Sequence, residues 1–233
     1  MTTISIVQSN YIPWIGYFDI IRRSDVFVMY DEVQYTKNDW RNRNRIKTNQ
    51  GLQWLTIPVR HERLEQPIHE VQVANQLWRR KHMQALSLAY SKAPFFKKYQ
   101  EQVFSILEGE EVYLSQINRK GLSIICGILG ITTRILDSQE LGLSGDRNEK
   151  LLDACKKLNA STYLSGPAAR AYLDTDLFNR SGIEITWADY SGYREYPQLY
   201  PPFIPGATIL DFIFNMGDAF EKYLEDGHEP GKY

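Results

Sequence analysis

Near the start of the chain the apolar positions fall into strand, helix and strand. Ser5-Ile6-Val7 is the short apolar run of a buried strand, Trp14 to Arg23 carries apolar residues at helical spacing behind Pro13, and Asp25 to Tyr30 reads as a second strand. Such a unit, about thirty residues long, is a parallel crossover, and ligands bind at the carboxyl ends of its strands. Gln8 to Tyr11 and Asp31 to Tyr35 are therefore expected on one edge of a sheet.

Beyond the apolar run Gln53 to Val59, residues 61–75 alternate only weakly. Trp78 to Tyr90, Phe95 to Leu107 and Val112 to Leu129 then have helical spacing. They predict a helical insertion or cap over 76–130, between the first half of an α/β domain at 1–75 and its second half at 131–233. In that second half, strands at Thr132–Leu136, Thr162–Leu164 and Glu184–Trp187 alternate with helices at Arg147–Leu158 and Pro167–Leu173. The expected class is α/β with a mainly parallel sheet. Tyr190 to Phe203, rich in Tyr and Pro, predicts an extended strap, and Ile209 to Leu224 a closing helix.

Composition narrows the class of function. With 43% hydrophobic and 24% charged residues the chain is ordinary for a soluble globular protein, and a net charge of −1 argues against a general nucleic-acid binder. Cys126 and Cys155 lie in apolar helical patterns without CxxC or Cys/His spacing, so a reduced, cytoplasmic setting is expected and neither a metal nor a disulfide. The first residues lack the layout of a secretory signal. The longest apolar stretch, Leu122 to Ile131, is far short of the roughly 20 residues a membrane span needs.

The densest chemistry lies between Asp31 and Lys47. Lys37, Arg41, Arg43, Arg45 and Lys47 set five cations against one acid, Asp39, and Trp40, Asn42 and Asn44 are interleaved with them. Guanidinium forks match phosphate oxygens, so the block reads as a clamp for a nucleotide or sugar-nucleotide diphosphate, the alternative being a solvated loop or edge strand. Asp31, at a strand end beside Gln34, is the candidate general base or amine-binding group. Tyr11 and Tyr35 are candidates for stacking on a base or sugar, whereas Trp14 and Tyr17 are assigned mostly to the core. Ser165-Gly166-Pro167, followed by Arg170, is a strand-to-helix turn that could present N–H groups to an anion or serve as an ordinary turn. At Ser144 to Arg147 ordinary helix capping is expected. His61, His69, His82 and His228 show no mutual spacing for a metal site or triad and are expected at the surface. No GxSxG, Walker-type or GxGxxG pattern occurs, and no cofactor is expected.

Asn10 to Phe18, Asp25 to Val28, Asp31 to Tyr35, Trp40 to Asn44, Trp54 to Val59, Tyr163 to Gly166 and Glu195 to Leu199 together resemble the WbqC-like family, nearly end to end. That resemblance implies association with bacterial O-antigen and other surface-polysaccharide gene clusters, and brings no settled reaction with it. The beginning of the chain also resembles, more faintly, the adenylyl-transfer superfamily that includes pantothenate synthetase, which implies a Rossmann-like (HUP-type) sheet. Trp14 and Tyr17 stand where that superfamily has the histidines of its HxGH-type motif, so the groups that stabilise leaving phosphates are missing.

The leading expectation is a transferase that modifies a sugar nucleotide, by N-acylation or aminoacylation of an amino sugar. Arg41, Arg43 and Lys47 would hold the diphosphate, Gln8 and Tyr11 would orient the sugar, and Asp31 would accept the amine proton. Gln34, Tyr35, Lys37, Trp40, Asn42, Ser165, Gly166 and Arg170 complete the candidate site. A binding module without catalysis, holding a sugar-linked intermediate, is the second reading, and a nucleotidyltransferase-like enzyme the third.

Overall fold

The computed structural model describes residues 1–227. β1 (Thr3–Val7) leads through α1 (Ile15–Arg22) to β2 (Val26–Met29). A hairpin of β3 (Arg43–Thr48) and β4 (Gly51–Thr56) follows, then a short pair, β5 (Val59–Arg60) and β6 (Gln72–Val73). Three helices come next: α2 (Leu77–Tyr90), α3 (Phe96–Leu107) and α4 (Leu114–Leu129). The chain returns through β7 (Arg134–Asp137), α5 (Arg147–Lys157), β8 (Thr162–Ser165), α6 (Thr175–Arg180) and β9 (Glu184–Trp187), and ends in α7 (Ile209–Met216) and α8 (Phe220–Gly227).

Five strands form one parallel sheet in the order β7-β2-β1-β8-β9. The order reverses between β1 and β8, so the carboxyl ends of the central strands border a crevice of the kind that binds ligands in α/β proteins. The expected α/β class with a mainly parallel sheet is thus present. Side chains alternate across the sheet because successive Cβ atoms point to opposite faces. Phe27 and Met29 join a large core with α1, α2, α3, α4 and α7, whereas Ile4, Ile6, Val28 and Tyr163 meet Leu151, Leu152 and Phe178 of α5 and α6 on the other face. Burial on both faces explains why these strands read as near-continuous apolar runs.

The β3–β4 hairpin also follows period two. Asn44 and Ile46 are buried, Arg43 and Arg45 point away from them, and Gly51 closes the turn at φ +101°. Asp146 caps α5 by accepting from the N–H groups of Asn148 and Glu149, the capping expected there.

Three expectations are corrected. The single closing helix over Ile209–Leu224 is two helices, because Gly217 takes φ +70° and stops α7; a side chain at Gly217 would also collide with the Phe95 ring. Pro167–Leu173 is a 3-10 turn over Pro167–Ala171, followed by the separate α6. His82, expected at the surface, is buried on α2 against Tyr11 and Trp78, while His61 and His69 are half-buried. His228 lies outside the described residues.

Candidate functional site

The segment leaving β1 turns sharply at residues 8–13 and is held by polar groups from distant elements. The Ser9 N–H donates to Asp31 Oδ1 at 2.8 Å, the Tyr11 N–H to the Trp40 carbonyl at 2.9 Å, and Asn44 Nδ2 to the carbonyls of Tyr11 and Ile12. Asn118 of α4 donates to Ser9 Oγ and to the Arg41 carbonyl, both at 2.9 Å. Four chain segments therefore meet at this turn, and the Asp31 carboxylate is joined to it through Ser9. Backbone groups in so irregular a segment need partners when buried, and the asparagines and Asp31 supply them.

Asp31 is 5% exposed, and its second oxygen, Oδ2, is buried without a hydrogen-bond partner among the described residues. Burial raises its carboxyl above the ordinary value of 3.8, and the Asp137 charge adds to this, while the bonds from Ser9 and the Arg41 charge oppose it. The Asp31 carbonyl accepts from the His69 backbone N–H at 3.0 Å and lies 2.9 Å from His69 Nδ1. A carbonyl can only accept, so Nδ1 carries a proton and donates, while Nε2 lies 3.9 Å from Glu70 Oε1.

Asp31 walls a cleft of about 290 Å³ at the carboxyl ends of β2 and β7, shared with His69, Ser115, Gln116, Arg119 and Ser138. Ser138 Oγ is buried there without a partner as well. Arg119 pairs with Asp137 at 2.7 Å and donates to the Ile135 carbonyl, which fixes its guanidinium along the wall. Buried polar atoms are usually satisfied, and two unmet ones on residues of one cleft make it the candidate site for a polar ligand. Carboxylate, imidazole, hydroxyl, amide and guanidinium together suit a hydroxyl- or amine-bearing molecule.

Arg41, Arg43 and Lys47 of the basic block are engaged within the protein. Arg41 Nη1 donates to Asn10 Oδ1 and to the carbonyls of Ser9 and Gln8, and Nη2 meets Asp39 at 3.5 Å. Lys47, only 2% exposed, donates to Gln198 Oε1 at 2.7 Å and to the Pro202 carbonyl, tying the strap to β3. Arg43 lies over the Trp54 ring and donates to the Asn38 carbonyl. Asn42 is buried and donates to the Ile57 carbonyl, and Lys37 is exposed.

Gln8, Asp31 and Ser165 lie at the same edge, each at the end of its strand. Gln8 borders a separate cavity of about 200 Å³ with Arg147 and Tyr172. Tyr11 is buried, bonded through its hydroxyl to His82, and Tyr35 is buried against His61, so both rings are packed inside rather than offered to a ligand. Burial lowers His82 to about 4, so that ring is neutral. Gln34 donates to the Leu64 carbonyl, and Arg170 is exposed over Trp187. Because the helical turn after Gly166 is short and of 3-10 type, it carries little dipole toward an anion. Trp14, assigned mostly to the core, packs half-buried against it and also walls a surface cleft with Trp40. Ser115, Arg119 and Ser138 had no local signal: their segments read as ordinary helix and strand end, and only the sheet order brings them to Asp31. Among the described residues no group of three His, Cys, Asp or Glu side chains is arranged to hold a metal ion, and no helix is long and apolar enough to cross a membrane.

A model of the WbqC-like protein family matches residues 8–223. A protein of Mycobacterium tuberculosis, described as uncharacterized, is 46% identical over 226 residues, which cover 96% of this chain and 98% of that protein. No solved structure matches the chain.

Proposed function

The chain belongs to the WbqC-like protein family, and from that premise we propose that it is a transferase of bacterial surface-polysaccharide synthesis that acylates or aminoacylates a nucleotide-linked amino sugar. The observation that carries this reading is the buried, unpartnered Oδ2 of Asp31 on the wall of a polar cleft. A carboxyl raised by burial is a better proton acceptor than a solvated one, and Ser9 holds its other oxygen in place. In the reaction the neutral sugar amine attacks the acyl carbon of an activated donor, the bond from that carbon to the donor's leaving group breaks and the group departs with the electron pair, and Asp31 Oδ2 takes the proton that the nitrogen sheds. Ser138, Gln116 and Ser115 bond the sugar hydroxyls, and Arg119 lies beside the negative part of the substrate. Arg41 acts indirectly: it secures residues 8–10 and with them the Ser9 N–H.

The test is a thermal-shift panel of nucleotide-linked amino sugars followed by turnover assays with acyl donors. A real ligand at a hundredfold excess over its dissociation constant stabilises the native state by about 2.7 kcal/mol. Asp31→Asn should bind such a ligand nearly as well while turnover falls by about 10²–10⁴-fold, the usual contribution of a general base. If ligands bind but wild-type protein modifies none of them, a non-catalytic binding module replaces the transferase.

A further inference from the structure

A second cleft, of about 340 Å³, is lined by Asn10, Pro13, Trp14, Trp40, Asn44, Arg45 and Gly206. It shares no lining residue with the Asp31 cleft. Its walls are fixed. The Trp14 indole covers Gly16 so closely that a Cβ there would come within 2.5 Å of the ring, and Tyr190 and Tyr193 meet the ring edge-on. Gly206, at φ +76°, leaves room for Arg45, whose Nη2 would lie 3.1 Å from a Cβ. On the outer face of the hairpin the Trp40 and Trp54 rings are 5.4 Å apart, with Arg45 about equally near both. Yet Trp40 remains 39% and Trp54 43% exposed, and Arg45 Nε is buried without a partner.

Among the described residues no acid lines this cleft. Asp39, the nearest in sequence, is bonded to the Trp40 N–H and paired with Arg41. Arg41 also occupies Asn10 Oδ1, which leaves the Asn10 amide nitrogen as a donor. Indole faces with guanidinium and amide donors suit a ring that has an apolar face, hydroxyls and a negative charge. Trp40 and Trp54 are tilted by 34° and so form no parallel slot for a nucleobase, and the volume lies near the low end of the roughly 300–1,000 Å³ of ligand pockets.

We propose that this cleft is a second binding site, for a single sugar unit that bears an anionic group, with the ring against Trp14 and Trp40 and the anion on Arg45. The site is independent of the reaction proposed for Asp31, and its occupant is a glycosyl phosphate or a uronate.

Isothermal titration of the full chain with glucose 1-phosphate, glucuronate, glucose, inorganic phosphate and UMP tests it. At least one of the two sugar anions should bind saturably and more tightly than glucose or phosphate; which one does so identifies the anion. Arg45→Gln should weaken that binding about tenfold or more, as loss of a charge-assisted bond does, and Trp40→Ala should weaken it too, each with an unchanged circular-dichroism spectrum. Asp31→Asn should leave it unaltered. The proposal is overturned if neither sugar anion binds, if glucose binds as tightly as they do, if UMP alone binds, or if Asp31→Asn abolishes binding while folded Arg45→Gln and Trp40→Ala retain it. Should an unfolded spectrum obscure either variant, Gly206→Ala, which crowds Arg45, must weaken binding for the proposal to stand.

Discussion

The Asp31 cleft and the Trp40 cleft both depend on the segment that leaves β1, yet they are built in opposite ways. Around Asp31 the polar atoms are buried and some are left unmet, whereas around Trp40 the buried amide of Asn44 is fully bonded and large aromatic surface is left in solvent. A site of the first kind is continuous with the core, so altering it alters stability. A site of the second kind is laid on the outside of a hairpin, where side chains can be removed with little effect on folding. The hairpin itself contains both situations, since Arg45 and Lys47 share one face of β3, yet the strap covers Lys47 and the indoles beside Arg45 stay exposed.

Lys47→Ala is expected to have the largest effect on stability. It leaves the Pro202 carbonyl without its donor, Gln198 Oε1 with only the Ile204 N–H, and Asp211 without its nearby cation, which should destabilise by about 3 kcal/mol. Urea denaturation measures this, and a loss below about 1 kcal/mol would place Lys47 with the surface cations. Asn118→Ala should come next, at about 1–3 kcal/mol, because Ser9 and the Arg41 carbonyl lose a buried donor. Since Ser9 orients Asp31, turnover should fall with it, and a fall in stability alone would detach Asn118 from the site.

Asp31→Asn should act in the other direction, with a gain of the usual 0.5–2 kcal/mol, roughly, for relieving a functional site. The carboxyl has a raised value in the folded state, so its stabilising contribution is complete below 3.8 and is lost as pH rises through the raised value. Arg41 and Asp137 face it with opposite effects, and the Asn substitution removes the titration of this group alone. The stability advantage of the variant over wild type should therefore grow from pH 4 to pH 7; an advantage independent of pH would mean that Asp31 is not held in an unfavourable charged state. Trp54→Ala should have the smallest effect, within about 1 kcal/mol, the scale of an exposed cation–π contact. A larger loss would show that the indoles brace the hairpin, and the contrast between the clefts would narrow.

The sheet was legible because its strands are buried on both faces and its helices keep a regular apolar face. Val26 to Met29, and Tyr163 with Leu164, are apolar whichever way they point. The hairpin was harder, since its core face holds the polar Asn44, and Lys47, on the opposite face, cannot be told from a solvated lysine without the strap that covers it. The candidate site was legible where one strand end supplied it, as with Asp31. It was hidden where distant segments met, as with Ser115, Arg119 and Ser138, and where a single glycine, Gly217, broke an otherwise helical pattern.

The strap also sets an order of events during synthesis. Trp14 is walled by Tyr190 and Tyr193 and bridges to Thr208, whose hydroxyl donates to the Ile12 carbonyl, while the Ile209 N–H donates to the Pro13 carbonyl. A ribosome adding about 5–20 residues per second makes these partners roughly 10–40 s after Trp14 itself. Throughout that interval the nascent chain carries an uncovered indole and a turn whose Pro13 carbonyl lacks its donor. The motif made first is among the last to be completed, so a pause near the end of translation would prolong the state most open to chaperones and to aggregation.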